Sequence, residues 1–254
     1  RQLTDDEIAI IDDYLARGGH LLILADMLFS EERFLAEDSA FNDYLWSNYG
    51  LRALDAVIVD PAASGQSELD VVSAAVYADN AIGRNLNVAG NPNTSTLFRI
   101  ARPIALDPEG PVYSGSIITS SEHSWAERDL DALAQQNQFI YDPETDNPGP
   151  LTSAAWAYDE RSGARIVLIG DGDFASNGQS QSPQGNAILF LDSVGWLTGF
   201  TEAVQFEPQM LTSGLPIMFI DGTTLDAIGL VTTILMPGLM LIIAGLIWLR
   251  RRQQ

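Results

Sequence analysis

Residues 165–174 read RIVLIGDGDF and residues 20–26 read HLLILAD. The earlier run, His20 to Ala25, is too short for a helix and too uniformly apolar for a half-exposed strand, so it predicts a strand buried on both faces of a parallel sheet. Upstream, Thr4 with Glu7 three residues later forms a capping box, and Leu3 is placed as its staple residue. Ile8, Ile11, Tyr14 and Leu15 then share one helical face, and Gly18-Gly19 ends the helix before the strand begins. A second helix is expected from Phe41 to Tyr49 with Gly50 as its stop, followed by a strand from Ala56 to Val59 closed by Asp60-Pro61.

Further along, Leu97 to Ile100 and Ser116 to Thr119 read as strands, with a turn at Asn91-Pro92-Asn93 and a surface excursion from Asp129 to Pro150. Ala154 to Tyr158 and Arg165 to Gly170 read as two strands joined by a hairpin or short connection. The second feeds the Gly170-Asp171-Gly172-Asp173-Phe174 turn and then a helix from about Asn186 to Leu197. A short strand and a connector rich in proline and glycine occupy Val204 to Leu225. The predicted class is α/β with a mostly parallel sheet.

The chain has 254 residues, no cysteine and a net charge of −21. Thiol catalysis is excluded, and so acidic a surface makes nucleic acid an unsuitable partner. All 13 basic residues are arginine, so no P-loop lysine is available for ATP hydrolysis. From Ala227 to Leu249 the sequence is uncharged and apolar, and it stops at Arg250, Arg251 and Arg252. Twenty-three helical residues rise about 35 Å, enough for a bilayer core of about 30 Å. The expectation is a membrane helix at 227–249, kinked at Pro237-Gly238, with a cytoplasmic tail at 250–254. Residues 1–206 then form an extracytoplasmic domain, truncated at its N-terminus, and 207–226 a juxtamembrane connector. Gly238 and Gly245, seven apart, are the expected helix-contact positions, and Trp248 an interfacial anchor.

The order of several short motifs resembles the GldG-like family, gliding-motility-associated auxiliary components of ABC-type transport systems. The matching stretches are Leu3-Thr4-Asp5-Asp6-Glu7, Tyr14-Leu15 with Gly18-Gly19, Thr119-Ser120-Ser121 with Ser124-Trp125, and Gly149-Pro150. They continue with Ile169 to Phe174 and Asn177, Gly185-Asn186, Trp196-Leu197-Thr198-Gly199 and the closing arginine-flanked helix. The resemblance implies a Rossmann-like, amidotransferase-like domain without a cysteine nucleophile. It would sit at the bacterial inner membrane, on the periplasmic side, beside an ABC permease and ATPase, and would need no cofactor.

Candidate sites follow from the strand ends. Asp26, Asp60, Asp171 and Asp173 would gather at the carboxyl edge of a parallel sheet, where such folds hold ligands. Asp171, Asp173 and Ser176 offer oxygen ligands for Mg²⁺ or Ca²⁺, against the alternative that the aspartates cap turns through backbone amides. Ser120 or Ser121 with His123 would be the pair for a hydrolase. Trp125, read in a polar loop, would serve a solute- or glycan-binding module, whereas Trp156 and Trp196 read as core. His20 begins a buried strand. Asp26, Ser120, Ser121, Trp125, Asp171 and Asp173 together mark the expected ligand or partner edge.

Overall fold

The computed structural model describes residues 1–29, 33–62, 69–72, 76–78, 80–86, 94–136, 139–176, 185–200 and 229–252. The turn at Asn91-Pro92-Asn93, the motif residue Asn177 and the connector at 207–226 lie outside the described residues. Two compact units divide the chain, Arg1–Ile217 and Met218–Gln254.

In the first unit, helix α1 (Asp5–Ala16) starts on the capping box: the Thr4 hydroxyl accepts from the Glu7 amide and the Glu7 carboxylate accepts from the Thr4 amide. Strand β1 (His20–Leu24) follows. Helix α2 (Ala40–Tyr49) is capped by the Ser39 hydroxyl and ends on Gly50, whose left-handed φ of 64° suits a residue without a side chain. Next come β2 (Leu51–Ala53), β3 (Val57–Val59), β4 (Asp70–Val72), β5 (Val76–Tyr77), β6 (Leu97–Arg99) and β7 (Ile104–Leu106). The longer β8 (Tyr113–Thr119) is followed by β9 (Trp125–Glu127), α3 (Leu130–Gln136) and β10 (Asn147–Pro148). Finally β11 (Thr152–Tyr158) and β12 (Arg165–Ile169) lead through a 3₁₀ turn (Asp173–Ala175) to α4 (Gly185–Thr198). The stretch from Asp129 to Pro150, expected as a surface excursion, carries α3 and β10.

The main sheet runs β5-β8-β11-β12-β1, with β7 and β2 attached beside the start of β11. Strands β1 and β12 pair in parallel, from His20 opposite Arg165 to Leu24 opposite Ile169. Among the described residues every other strand pairing is antiparallel. The mostly parallel, Rossmann-like sheet is therefore corrected to a curled mixed sheet. The cause is local: the short turn from Asp159 to Ala164 joins β11 to β12, and a parallel pair needs a crossover of a dozen residues or more.

Strand β12 is buried on both faces, and its alternate side chains enter two different cores. Ile166 and Leu168 pack with Leu15, Phe41, Leu45 and Ala155 on the α1 and α2 side. Val167 and Ile169 pack with Phe98, Phe174, Ile188 and Leu189 on the α4 side. A separate small sheet, β10-β9-β3, places Ala126 and Ile58 opposite each other.

The second unit corrects the membrane expectation. Its α-helix, Met236–Arg252, has 17 residues and ends in three arginines. At about 1.5 Å per residue that length is about 26 Å, short of a hydrocarbon layer of about 30 Å. Upstream, Val231–Leu235 forms a π-helical segment that holds two threonines, so the apolar run at 227–249 is not one α-helix. Among the described residues no helix is long and apolar enough to cross a membrane. The inner-membrane location, the periplasmic placement of the domain and the cytoplasmic tail rested on that span and are withdrawn with it. Gly238 and Gly245 both lie on this helix, and a side-chain carbon added at Gly238 meets nothing within 4 Å. Trp248 is exposed, with Arg252 5.2 Å over its ring.

Candidate functional site

The aspartates after β1 and β12 meet at the carboxyl ends of this parallel pair. Asp171 is 1 % exposed. Its Oδ1 accepts from the Asp173 amide at 2.7 Å and the Phe174 amide at 3.3 Å, and its Oδ2 accepts from the Arg99 amide at 2.8 Å. The carboxylate thereby ties β6 to the turn that opens the path to α4. Burial pushes its carboxyl up to about 7, against the pull of those amides, and the nearby Asp26 charge pushes the same way. Asp26 in turn accepts from the Gly172 amide. Asp173 and Ser176 are exposed, and the Ser176 amide donates to the Asp173 carbonyl at 2.9 Å. Among the described residues no group of three or more His, Asp or Glu side chains is placed to hold a metal ion.

A second polar cluster forms where β3 and β8 end. Asp60, fully buried, accepts from the Ser121 hydroxyl at 2.6 Å, the Ser121 amide at 2.8 Å and the Ala62 amide at 3.2 Å. Ser120 shares its hydroxyl with that of Ser124 at 2.6 Å and accepts from the Leu151 amide at 2.8 Å. His123 is exposed, and its backbone amide, not its ring, donates to the Ser121 hydroxyl at 3.2 Å. His20 lies at the start of β1, where burial and the neighbouring Arg165 hold its ring below the usual imidazole range. Among the described residues neither imidazole ring is hydrogen-bonded to a serine hydroxyl; the Ser121 hydroxyl is bonded to Asp60 and the Ser120 hydroxyl to Ser124.

Trp125 belongs to β9 and not to a loop. Its ring centroid stands 6.0 Å from that of Tyr141, and its indole N–H points to Glu127. Trp156 and Trp196 meet edge to face at 5.9 Å, and Arg165 covers Trp196 at 5.3 Å.

The largest fully buried side chain among the described residues carries no mark in the sequence: Arg102, at 0 % exposure. Its Nε donates to the Leu54 carbonyl at 3.0 Å, and its two terminal nitrogens donate to Phe34 and Leu35 carbonyls and to Asp55 at 2.8 to 3.1 Å. Asp55 also pairs with Arg33 at 2.9 Å. The Asp55 amide donates to Glu37, which accepts in addition from Arg128. Burial lowers the affinity of the Arg102 guanidinium for its proton, and the Asp55 charge restores part of it. This network joins the loop before α2, the β2–β3 connection and the approach to β7, so it is a structural clamp. Buried Asn42 and Asn186 do similar work: each amide side chain bonds backbone on two separate segments, Asn42 at 35–36 and 53, and Asn186 at Leu97 and Phe174.

No protein-family model matches this chain, and no curated protein does. Among solved structures the chain is similar to one described as the mmIFT52 N-terminal domain. The TM-score is 0.53 at 13 % sequence identity, over 78 % of this chain and 72 % of that one. At this identity the likeness is one of fold, and that fold is the mixed α/β arrangement described above.

Proposed function

We propose that the chain is a non-enzymatic auxiliary subunit of an ABC-type transport system, whose mixed α/β domain binds permease and ATPase partners instead of turning over a substrate. The resemblance of its motif order to the GldG-like family supplies the setting. One observation carries the non-enzymatic reading: the side chains best placed for chemistry are spent on the fold. Asp60 is engaged by Ser121, Ser120 by Ser124 and Leu151, and Asp171 by three amides. A group held this way positions loops, and releasing it for catalysis would leave buried polar atoms unsatisfied.

The test is co-expression with the permease and ATPase subunits of an ABC-type system from the same genome, followed by affinity purification on a tag carried by this chain. Recovery of both partners in fixed proportion supports the reading. Recovery of this chain alone, from cells where permease and ATPase form their own complex, overturns it. So would ester or amide hydrolysis that Ser121→Ala abolishes.

A further inference from the structure

The outer edge of β8 is only half covered. Strand β5 pairs with its far end, Val76 opposite Thr119 and Tyr77 opposite Ile118, and the Ala78 amide donates to the Ile117 carbonyl. No such neighbour lies beside Tyr113 to Ser116 among the described residues. The ladder on the other side settles which backbone groups face outward. The Asp159 amide points toward β12, donating to the Ala164 carbonyl, and the Ser153 carbonyl points the same way, accepting from the Gly170 amide. Tyr158 and Trp156, at the alternate positions, therefore face β8, where they stand opposite Tyr113 and Gly115. Tyr113 and Gly115 bond β11, which leaves the amides and carbonyls of Ser114 and Ser116 pointing away from the sheet.

Such an edge is a template for one more strand, and proteins commonly guard it with lysine, proline or an inward charge. Here the edge residues are Ser114, Gly115 and Ser116, and the chain has no lysine at all. Beside Ser114 is a hollow of about 510 Å³ lined by residues 108, 110–114 and 158–161. Tyr113, 62 % exposed, stands on its wall. Asp159 and the exposed Glu160 line it, and Arg161, the one cation among its described lining residues, is already bonded to Asp159. Unpaired main chain selects an extended backbone, and the acidic rim on a chain of net charge −21 selects a basic one. A second copy of this chain carries the same charge and is repelled.

We propose that the Tyr113–Ser116 edge of β8 receives a basic, extended segment of a partner polypeptide as an added strand. The inference rests on the partner-binding role proposed above and names the surface that performs it.

The probe is a fluorescent heptapeptide of alternating lysine and valine, titrated by anisotropy against the full chain at low salt. Two further peptides serve as arms: one N-methylated at alternate residues, and one with glutamate in place of lysine. Ser114→Pro removes an outward N–H and spares the ladder to β11, because proline is tolerated on the open side of an edge strand. Saturable binding is expected, weakened about fivefold by Ser114→Pro, which removes one main-chain hydrogen bond worth about 1 kcal/mol, and about thirtyfold by N-methylation, which removes two or more. The glutamate peptide should not bind.

Equal affinity for the N-methylated peptide would show charge attraction without strand addition and would overturn the proposal, as would no binding at about 1 mM. The N-methyl comparison uses the unaltered protein, so it decides the matter even if Ser114→Pro disturbs folding. If the peptide fails while the permease and ATPase still co-purify, the edge assignment falls and the auxiliary role stands. Loss of co-purification with the peptide result intact removes the transport setting alone.

Discussion

Replacing Arg102 by methionine is the sharpest test of the clamp that organises the first unit. Methionine retains most of the apolar volume of the side chain, so the change removes chiefly the guanidinium. Four hydrogen bonds disappear. The Leu35 carbonyl keeps the Asn42 amide at 3.3 Å and Asp55 keeps Arg33 at 2.9 Å, but the Phe34 and Leu54 carbonyls lose Arg102. Breaking a buried pair by deleting one partner costs about 3–5 kcal/mol. Because the Asp55 side chain is 23 % exposed and still paired, the lower end applies to it. Two carbonyls left without Arg102 add about 1 kcal/mol each, for a total of about 4–5 kcal/mol. Against a typical domain stability of about 5–15 kcal/mol this is a large fraction, and it corresponds to a fall of about 10–15 °C in Tm for a unit of this size. Urea denaturation followed by tryptophan fluorescence and circular dichroism measures it. Arg102→Lys, which keeps the charge but cannot span all four acceptors, should lose about half as much. A loss below about 1 kcal/mol for Arg102→Met, with an unchanged denaturant slope, would refute the reasoning.

Asp171 gives a pH dependence of definite sign. Its carboxyl is pushed up to about 7 in the folded state, above its ordinary value of 3.8, so the folded chain retains a proton that the unfolded chain has released. Stability is fully present below about pH 4, declines as pH rises, and is lost through about pH 7, by a few kcal/mol at most. Asp171→Asn should flatten that slope between pH 5 and 8, and an equally steep slope in the variant assigns the effect elsewhere. Two glycines give opposite outcomes in the same denaturation assay. A side-chain carbon on Gly170 would fall 2.0 Å from the Arg102 carbonyl oxygen, where backbone cannot yield, so Gly170→Ala should cost about 1–3 kcal/mol. Gly195, within α4, has open space around it, and Gly195→Ala should gain up to about 1 kcal/mol.

Where the sequence was legible, the signal was local. The Thr4–Glu7 box, the glycine stop at Gly50, and the apolar runs that became β1 and β12 each rest on residues a few positions apart. Strand direction is a different kind of fact. It depends on the connection, and the turn from Asp159 to Ala164 already carried the information that β11 and β12 must run antiparallel. Giving the apolar run at 20–25 authority over the whole sheet produced the parallel expectation, although that run governs only its own pairing with β12. In 227–249 hydropathy carried the same excess weight: the sequence places the break at Pro237-Gly238, whereas the structure has a π-helical segment at Val231–Leu235 ahead of a 17-residue α-helix. The candidate site shows the limit from the other side. Aspartates and serines at strand ends stand out in the sequence as polar groups, but their partners come from remote segments: Asp60 meets Ser121, and Asp171 meets Arg99. Asn42 could have been found, since it shares a helical face with Leu45 and Tyr49 and an amide inside an apolar stripe needs backbone to bond. Arg102 offered less. Between Ala101 and Pro103 nothing marks it as buried, because its acceptors at 34, 35, 54 and 55 are assembled only when the fold brings those loops around one guanidinium.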